Sequence, residues 1–288
     1  MKRIILFLTL TVASVFSYAQ ELDVHPKAPA VPEYVDFAGD RITFDTDDLY
    51  ERMDRELMAF TYMHSTSSLM LKRSLRYFAH VVPILKEREI PEDLKYLMVI
   101  ESNLDPKAVS STGAAGLWQF TKATAKQYGL EVSDEVDERF NIEKETIAAC
   151  KYLREAYKKY GDWMTVAASY NAGQGAISKY LKEQQESSAM NLYLKEETSR
   201  YMFRVLTAKL FMEHPERFGY NIKGSELYPY RPPKKVVTVT GPIPSLVDFA
   251  KNNGVSYADL KRANLWLRSD KLTNQGGKAY QIIIPDVK

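Results

Sequence analysis

Apolar residues recur at helical spacing along this chain from residue 47 to about residue 220, and the run stops at YPYRPPKK, residues 228–235. Spacing of i, i+3, i+4, i+7 gives each helix one buried face, so the region must fold as several helices packed on one another. Segments 47–64 and 68–88 read as helices, the second with Leu71, Leu75, Phe78 and Val82 on one face. A third starts at Pro91, whose missing N–H has no partner in a first turn. It stops at Asp105-Pro106, because a residue before proline avoids the helical region. Further helices are expected over 117–128, over 142–160 between Asn141 and Gly161, over 162–170, and over 197–214. The proline-rich stretch reads as a linker. Beyond it a strand at 236–239, helices at 246–253 and 257–263 and a strand at 281–284 make a small separate strand-helix-helix-strand module. The fold class expected is mainly α, a multi-helix domain followed by a small α/β module.

The chain has 288 residues, 45% hydrophobic and 12% aromatic, enough for a medium domain and a small one with cores of their own. Its formal net charge is +2, and two of its basic residues, Lys2 and Arg3, lie at the extreme N-terminus. With those set aside the 39 basic residues fall to 37, equal to the 37 acidic ones, so no basic excess points to nucleic acid. Lys2-Arg3, the apolar run from Ile4 to Phe16 and the small-x-small Ser17-Tyr18-Ala19 read as a secretory signal peptide over 1–19. The apolar run is shorter than the ~20 residues a spanning helix needs. Residues 20–46 read as a flexible linker, the main domain runs 47–225 with its core at 90–220, a second linker covers 226–235, and the module fills 236–288. Secretion places the mature protein in the periplasm, with association to the outer membrane left open. Cys150 is the one cysteine; at helical spacing from Ile147 and Leu153 it reads as a small buried hydrophobe.

Several chemistries drop out. There is no H-E-x-x-H, no Cys/His cluster, no P-loop and no G-x-S-x-G, and the four histidines, His25, His64, His80 and His214, are scattered. Gly173-Gln174-Gly175 follows no strand and lacks a third glycine, so it is not a dinucleotide site. No metal, cofactor or nucleotide is expected, and carboxylates remain as candidates.

One carboxylate breaks the pattern. Leu94, Leu97 and Met98 lie on one face of the third helix, and the next position of that stripe is Glu101. A carboxyl there loses water and its pKa rises. It can then serve as a general acid, which glycosidic cleavage requires at the leaving oxygen. A buried ion pair with Arg or Lys explains the same spacing equally well. The loop that follows favours the acid. Ser110 to Gly116, SSTGAAG, is too small and flexible for a packing element, and its glycines let backbone approach a ligand. Trp118, Gln119 and Phe120 come next; aromatic faces bind sugar rings and Gln bonds hydroxyls or acetamides, although one of the two aromatics is expected in the core. Tyr170-Asn171, after the small residues 167–169, can present an amide to a substrate acetamide, or Asn171 can simply cap the helix end.

These stretches resemble the soluble-lytic-transglycosylase family of lysozyme-like fold. Glu101-Ser102 matches its paired Glu-Ser, and Ser110 through Gln119 its Ser-x-x-Gly-Ala-x-Gly-Leu-x-Gln segment. Thr124-Ala125 matches its Thr-Ala, Tyr170 to Gly173 its Tyr-Asn-Ala-Gly, and Tyr201 the tyrosine after Glu197-Thr198. The matches fall in order over roughly 130 residues, and they depart at Lys122, where proline is common, and at Met202. The module resembles a LysM domain, but Gly241-Pro242-Ile243-Pro244-Ser245 stands where Gly-Asp-Thr-Leu is usual, so glycan binding by this copy is open, beside a role in bracing the main domain.

The resemblance implies an enzyme that cleaves the β-1,4 bond between N-acetylmuramic acid and N-acetylglucosamine in peptidoglycan strands and leaves 1,6-anhydromuramic ends, in cell-wall turnover or remodelling. It implies Glu101 as the catalytic acid and Ser102, Ser110, Gly116, Trp118, Gln119, Tyr170, Asn171 and Tyr201 as binding or positioning residues. Two alternatives stand beside it: a muramidase on the same fold, with Asp105 the formal candidate to activate water, and a non-catalytic peptidoglycan-binding protein.

Overall fold

Short polar caps set where the helices begin. In the computed structural model, which describes residues 27–286, Asn141 accepts from the Lys144 N–H at 3.1 Å and starts one helix, which Gly161 ends at φ 67°. Asp162 accepts from the Met164 and Thr165 N–H groups at 3.0 and 3.2 Å and starts the next. Each cap satisfies a donor that the first turn leaves free. The described helices of the main domain are α1 (Asp47–Tyr62), α2 (His64–Glu87), α3 (Lys95–Ser102), α4 (Lys122–Gln127), α5 (Ile142–Tyr160), α6 (Trp163–Ala172), α7 (Gln174–Gln184) and α8 (Glu196–Glu213). The signal-peptide expectation for 1–19 lies outside the described residues.

Two of these helices are buried on every side, as a helix without a polar face must be. Residues 96–100 of α3 and 163–169 of α6 are all inside. Helix α8 packs on both, and α2 and α5 close the layers around them. A carboxylate at the end of α3 therefore sits against the middle of the domain.

The reading of 20–46 as a flexible linker fails for its second half. Strands β1 (Tyr34–Phe37) and β2 (Asp40–Thr43) form a hairpin in the register Tyr34↔Thr43, turned by Ala38 and Gly39, both at positive φ. Val35 and Phe37 point into the core, and the Ala38 N–H donates to Asp93 Oδ2 at 2.8 Å. The alternation Val35, Phe37 is a period of two that proline-rich surroundings obscured.

Other expectations shift. The third helix ends at Ser102, because Asn103 and Leu104 are both left-handed, at φ 52° and 55°. The helix expected over 117–128 starts only at Lys122, where the Thr121 hydroxyl caps it. The residues before it are a tight loop, with Gln119 at φ 51° and paired backbone bonds between Ala115 and Phe120. On α2 the buried face runs through Met70, Leu71, Tyr77, Val81 and Leu85, while Leu75 is 46% exposed. Helix α7 has no counterpart in the sequence reading; of its residues only Ile177 is buried, so its apolar period is faint.

The module has strands β3 (Lys235–Val239) and β4 (Tyr280–Ile284), antiparallel with Val237↔Ile282, and helices α9 (Leu246–Asn252) and α10 (Tyr257–Ala263). It is not separate in its packing. Ala115, Val136 and Phe140 of the main domain belong to the same apolar cluster as Ile243, Leu246, Trp266, Leu267 and Tyr280.

Candidate active site

Glu101 lies in the last turn of α3, half-buried. From α8, Tyr201, 3% exposed, donates its hydroxyl hydrogen to Glu101 Oε1 at 2.7 Å. Burial pushes the Glu101 carboxyl from its ordinary value of 4.5 up to about 7; the Tyr201 hydrogen bond and the Arg204 guanidinium pull it down, and the Glu197 carboxylate adds to the rise. Loss of water outweighs the favourable partners, so the acid is half-protonated near neutral pH. With Oε1 accepting from Tyr201, the carboxyl proton belongs on Oε2, where it can be given away. A group with that pKa can donate a proton and then recover one.

From α6, Tyr170 donates to the Trp118 carbonyl at 2.7 Å and so ties the loop at 110–120 to the helices. Burial pushes the Tyr170 hydroxyl well above its usual value, with the Glu101 charge adding to it. The Tyr201 hydroxyl is raised in the same way, by burial and then by Glu101. Glu101, Tyr170 and Tyr201 thus come together from three helices. Asn171 follows in the last turn of α6, half-buried.

The other expected site residues serve the protein itself. Ser102 bonds back to the Met98 carbonyl at 2.9 Å inside its own helix. Ser110 holds the loop, accepting from the Ala114 N–H at 3.0 Å and sharing a hydrogen bond with Thr112. The Trp118 ring is fully buried, and its Nε1 donates to Thr146 Oγ1 at 3.0 Å, so it is a core residue and offers no face to a sugar. Phe120 is also in the core. Gln119 donates through Nε2 to the Ala108 and Gly116 carbonyls at 3.1 and 2.8 Å, which leaves its Oε1 as the acceptor to offer. The loop is also a packing element, contrary to expectation, with residues 114–118 buried. Gly116 lets backbone approach other backbone: a Cβ there would lie 1.8 Å from the Arg139 carbonyl oxygen and 2.4 Å from Glu145 Oε2.

The sequence reading missed Glu145. It is fully buried in α5; Oε2 accepts from the Trp118 N–H at 3.2 Å, and Oε1 has no partner among the described residues. Burial holds its carboxyl well above the usual range, against the pull of the Trp118 and Leu117 N–H groups. The available signal was the one that singled out Glu101: residues 145, 148, 149, 152, 153 and 156 form the buried stripe of α5. Three further buried carboxylates among the described residues are paired with cations, Asp137 with Arg139 at 2.7 Å. Glu56 meets Arg200 at 2.7 Å and Arg55 at 3.2 Å, and Glu138 meets Lys144 and Lys278.

Comparison with known proteins matches residues 84–193 to the transglycosylase SLT domain and residues 235–288 to the soluble lytic transglycosylase C-terminal LysM-like domain. The chain is 26% identical over 248 residues to membrane-bound lytic murein transglycosylase D of Escherichia coli strain K12, an alignment covering 83% of this chain and 53% of that protein. It is 46% identical over 79 residues to the peptidoglycan transglycosylase gp16 of Escherichia phage T7, covering 27% of this chain and 6% of that one. Among solved structures, the 70 kDa soluble lytic transglycosylase Slt70 of Escherichia coli aligns with a TM-score of 0.42 at 18% identity, over 63% of this chain and 33% of that one. The chain spans about half the length of the first of these relatives.

Proposed function

The chain carries a transglycosylase SLT domain and the LysM-like domain that ends soluble lytic transglycosylases, and from that kinship we propose that it cleaves the β-1,4 bond between N-acetylmuramic acid and N-acetylglucosamine in peptidoglycan, leaving 1,6-anhydromuramic ends. The observation that carries this reading is the half-buried Glu101, poised at about 7 and held by Tyr201. Glu101 gives its proton to the leaving oxygen as the bond to the anomeric carbon breaks, and the substrate's own acetamide assists there. The carboxylate then takes the proton of the muramic 6-hydroxyl while that oxygen bonds to the anomeric carbon. The acid is restored and no water is consumed. The attacking hydroxyl is tethered, which removes most of the entropic barrier to meeting its target.

One carboxylate suffices for this sequence, whereas the usual glycosidases need two. Asp105, the residue first considered for activating water, is engaged by Arg73 at 3.3 Å and by the Lys107 N–H at 3.0 Å. Glu145 is fully buried. A muramidase reading therefore falls to Glu197, exposed and close enough for its charge to raise Glu101. Mass analysis of the fragments released from purified peptidoglycan decides between them. Anhydro ends are expected; hydrated, reducing ends would make the chain a muramidase with Glu197 as base. Binding without release would make it a peptidoglycan-binding protein.

The apolar leader at 4–16 supports export, and a murein substrate supports a periplasmic site of action, in wall turnover or remodelling. No described helix is long and apolar enough to cross a membrane. The LysM-like module supports attachment to the same glycan strands.

A further inference from the structure

We propose that the C-terminal module is a structural part of the active site, acting through Arg139 as a positioning residue for the loop at 110–120; the catalytic half of this rests on the function proposed above.

The segment 131–140, between α4 and α5, lies within the main domain in sequence, yet one of its sides belongs to the module. Val136 bridges Leu267, the Asp137 N–H donates to the Trp266 carbonyl at 2.9 Å, and the Arg268 N–H donates to the Glu135 carbonyl at 2.8 Å. The Glu135 carboxylate accepts from the Thr273 N–H and hydroxyl at 2.7 and 2.5 Å. Lys278 reaches Glu131 and Glu138 at 2.7 and 2.9 Å. Beneath this polar rim Val136 and Phe140 complete the module's apolar core.

The other side of the same segment belongs to the catalytic loop. Arg139, 4% exposed, makes a two-pronged pair with Asp137, Nε to Oδ1 at 2.9 Å and Nη2 to Oδ2 at 2.7 Å. Its remaining nitrogen, Nη1, donates to the Gly113 and Phe120 carbonyls at 2.8 and 3.0 Å, which clamps both arms of the loop. Between those arms stand Trp118, whose carbonyl receives Tyr170, and Gln119. A buried guanidinium keeps this geometry only while its carboxylate stays in place, since separating them strands a charge and takes from the Gly113 carbonyl its hydrogen-bond donor. Asp137 stays in place because its own N–H is bonded to the module. A tether that merely delivered glycan to the catalytic domain would need a linker and no shared core.

Amide hydrogen exchange on the full chain, with cleavage of soluble glycan strands measured in parallel, tests this. In Arg139→Lys the charge is kept and the fork is lost. Exchange at Ala115, Gly116 and Phe120 is expected to quicken at least tenfold, with α5, α6 and β4 unchanged. The displacement of the loop lowers kcat by about ten- to a hundredfold, with KM within about twofold. Thr273→Ala with Lys278→Ala, both exposed positions on the module, is expected to move the same amides and kcat in the same direction by less. Added to Arg139→Lys, that pair is expected to do nothing more, because both act on one contact. Unchanged loop exchange in Arg139→Lys would overturn the proposal. So would a loop that loosens with kcat unchanged, or exchange that quickens throughout the chain. If the wild-type chain releases nothing from glycan, the functional reading fails together with the catalytic half of this proposal, and the exchange results alone still decide whether the module braces the loop.

Discussion

Among the described residues, two carboxylates that break apolar helical stripes, Glu101 and Glu145, form no ion pair. Glu101 closes α3 and Glu145 opens α5, and burial drives both well above their usual range. They differ in what surrounds them. Glu101 is half-buried, with a tyrosine hydroxyl on one oxygen. Glu145 is fully buried, with backbone N–H groups on one oxygen and, among the described residues, no partner on the other. Glu56 and Glu138 give a third outcome, buried and paired with cations. A raised pKa therefore does not mark a catalytic acid by itself. What separates Glu101 is its partial exposure, which Glu145 lacks.

The widest test of that contrast is Glu101→Gln. Gln is nearly isosteric and carries no transferable proton, so release of glycan fragments is expected to fall by about a hundred- to ten-thousandfold while binding to insoluble peptidoglycan persists. In the wild type, cleavage is expected to decline as pH rises through about 7, where Glu101 loses its proton. Stability adds a second readout. Below pH 4.5 the group is neutral in the folded and the unfolded chain; between 4.5 and 7 only the unfolded chain gives up its proton, so folding weakens as pH rises. Above pH 7 the difference reaches about 3 kcal/mol, at 1.36 kcal/mol for each pKa unit. Melting of Glu101→Gln should therefore match the wild type at pH 4 and exceed it at pH 8. Loss of activity without that gain would mean Glu101 is not desolvated as described.

On the fully buried side, stability changes where rate did on the half-buried side. Gly116→Ala would put a methyl 1.8 Å from the Arg139 carbonyl oxygen, at φ 86°. A clash with backbone in a closed site, plus the left-handed strain, is expected to cost about 3 kcal/mol, seen as a lower midpoint in denaturant. A smaller effect comes from Tyr201→Phe, which keeps the ring and removes the hydroxyl. The hydrogen bond holds the Glu101 pKa down, so its loss should move the alkaline fall in cleavage to higher pH and lower the rate by about tenfold, in line with a bond to a charged group. A shift to lower pH would show that the hydroxyl favours the protonated acid.

How much of this was legible in advance follows the same division. Glu101 stands out because Leu94, Leu97 and Met98 set up a stripe that it interrupts, whereas Tyr201 is singled out only by the family resemblance, at its place after Glu197-Thr198. Trp118 was misread because an aromatic beside a glycine loop looks alike whether it faces a sugar or the core; only the Thr146 hydroxyl under its Nε1 decides. The hairpin at 34–43 was missed because two four-residue strands give almost no period. The docking of the module was hidden for another reason: the contacts of Trp266 with Asp137 and of Arg268 with Glu135 run through backbone, which any sequence could supply. Arg139 gave no local sign of its role, since its partners Gly113 and Phe120 offer only carbonyl oxygens.

Glu145→Gln is the narrowest test and the one that bears most directly on the comparison. Burial without a cation pushes its carboxyl well above the usual range, against the bonds it receives. Gln keeps a carbonyl oxygen to accept from Trp118 and places its NH2 where Oε1 now lacks a partner. The loop's contacts should not change, so cleavage is expected within about threefold of the wild type, and stability at pH 4 within about ±0.5 kcal/mol of it. The unfolded carboxylate ionises above pH 4.5, so the wild type should lose stability between pH 4 and pH 8 at this site, and the Gln variant should gain on it there, as Glu101→Gln does. Parity at pH 4 with a gain at pH 8, and no loss of rate, would leave Glu101 and Glu145 alike in thermodynamics and opposite in chemistry. A rate that fell as far as in Glu101→Gln would instead bring Glu145 into the proton path and dissolve the distinction between the half-buried acid and the fully buried one.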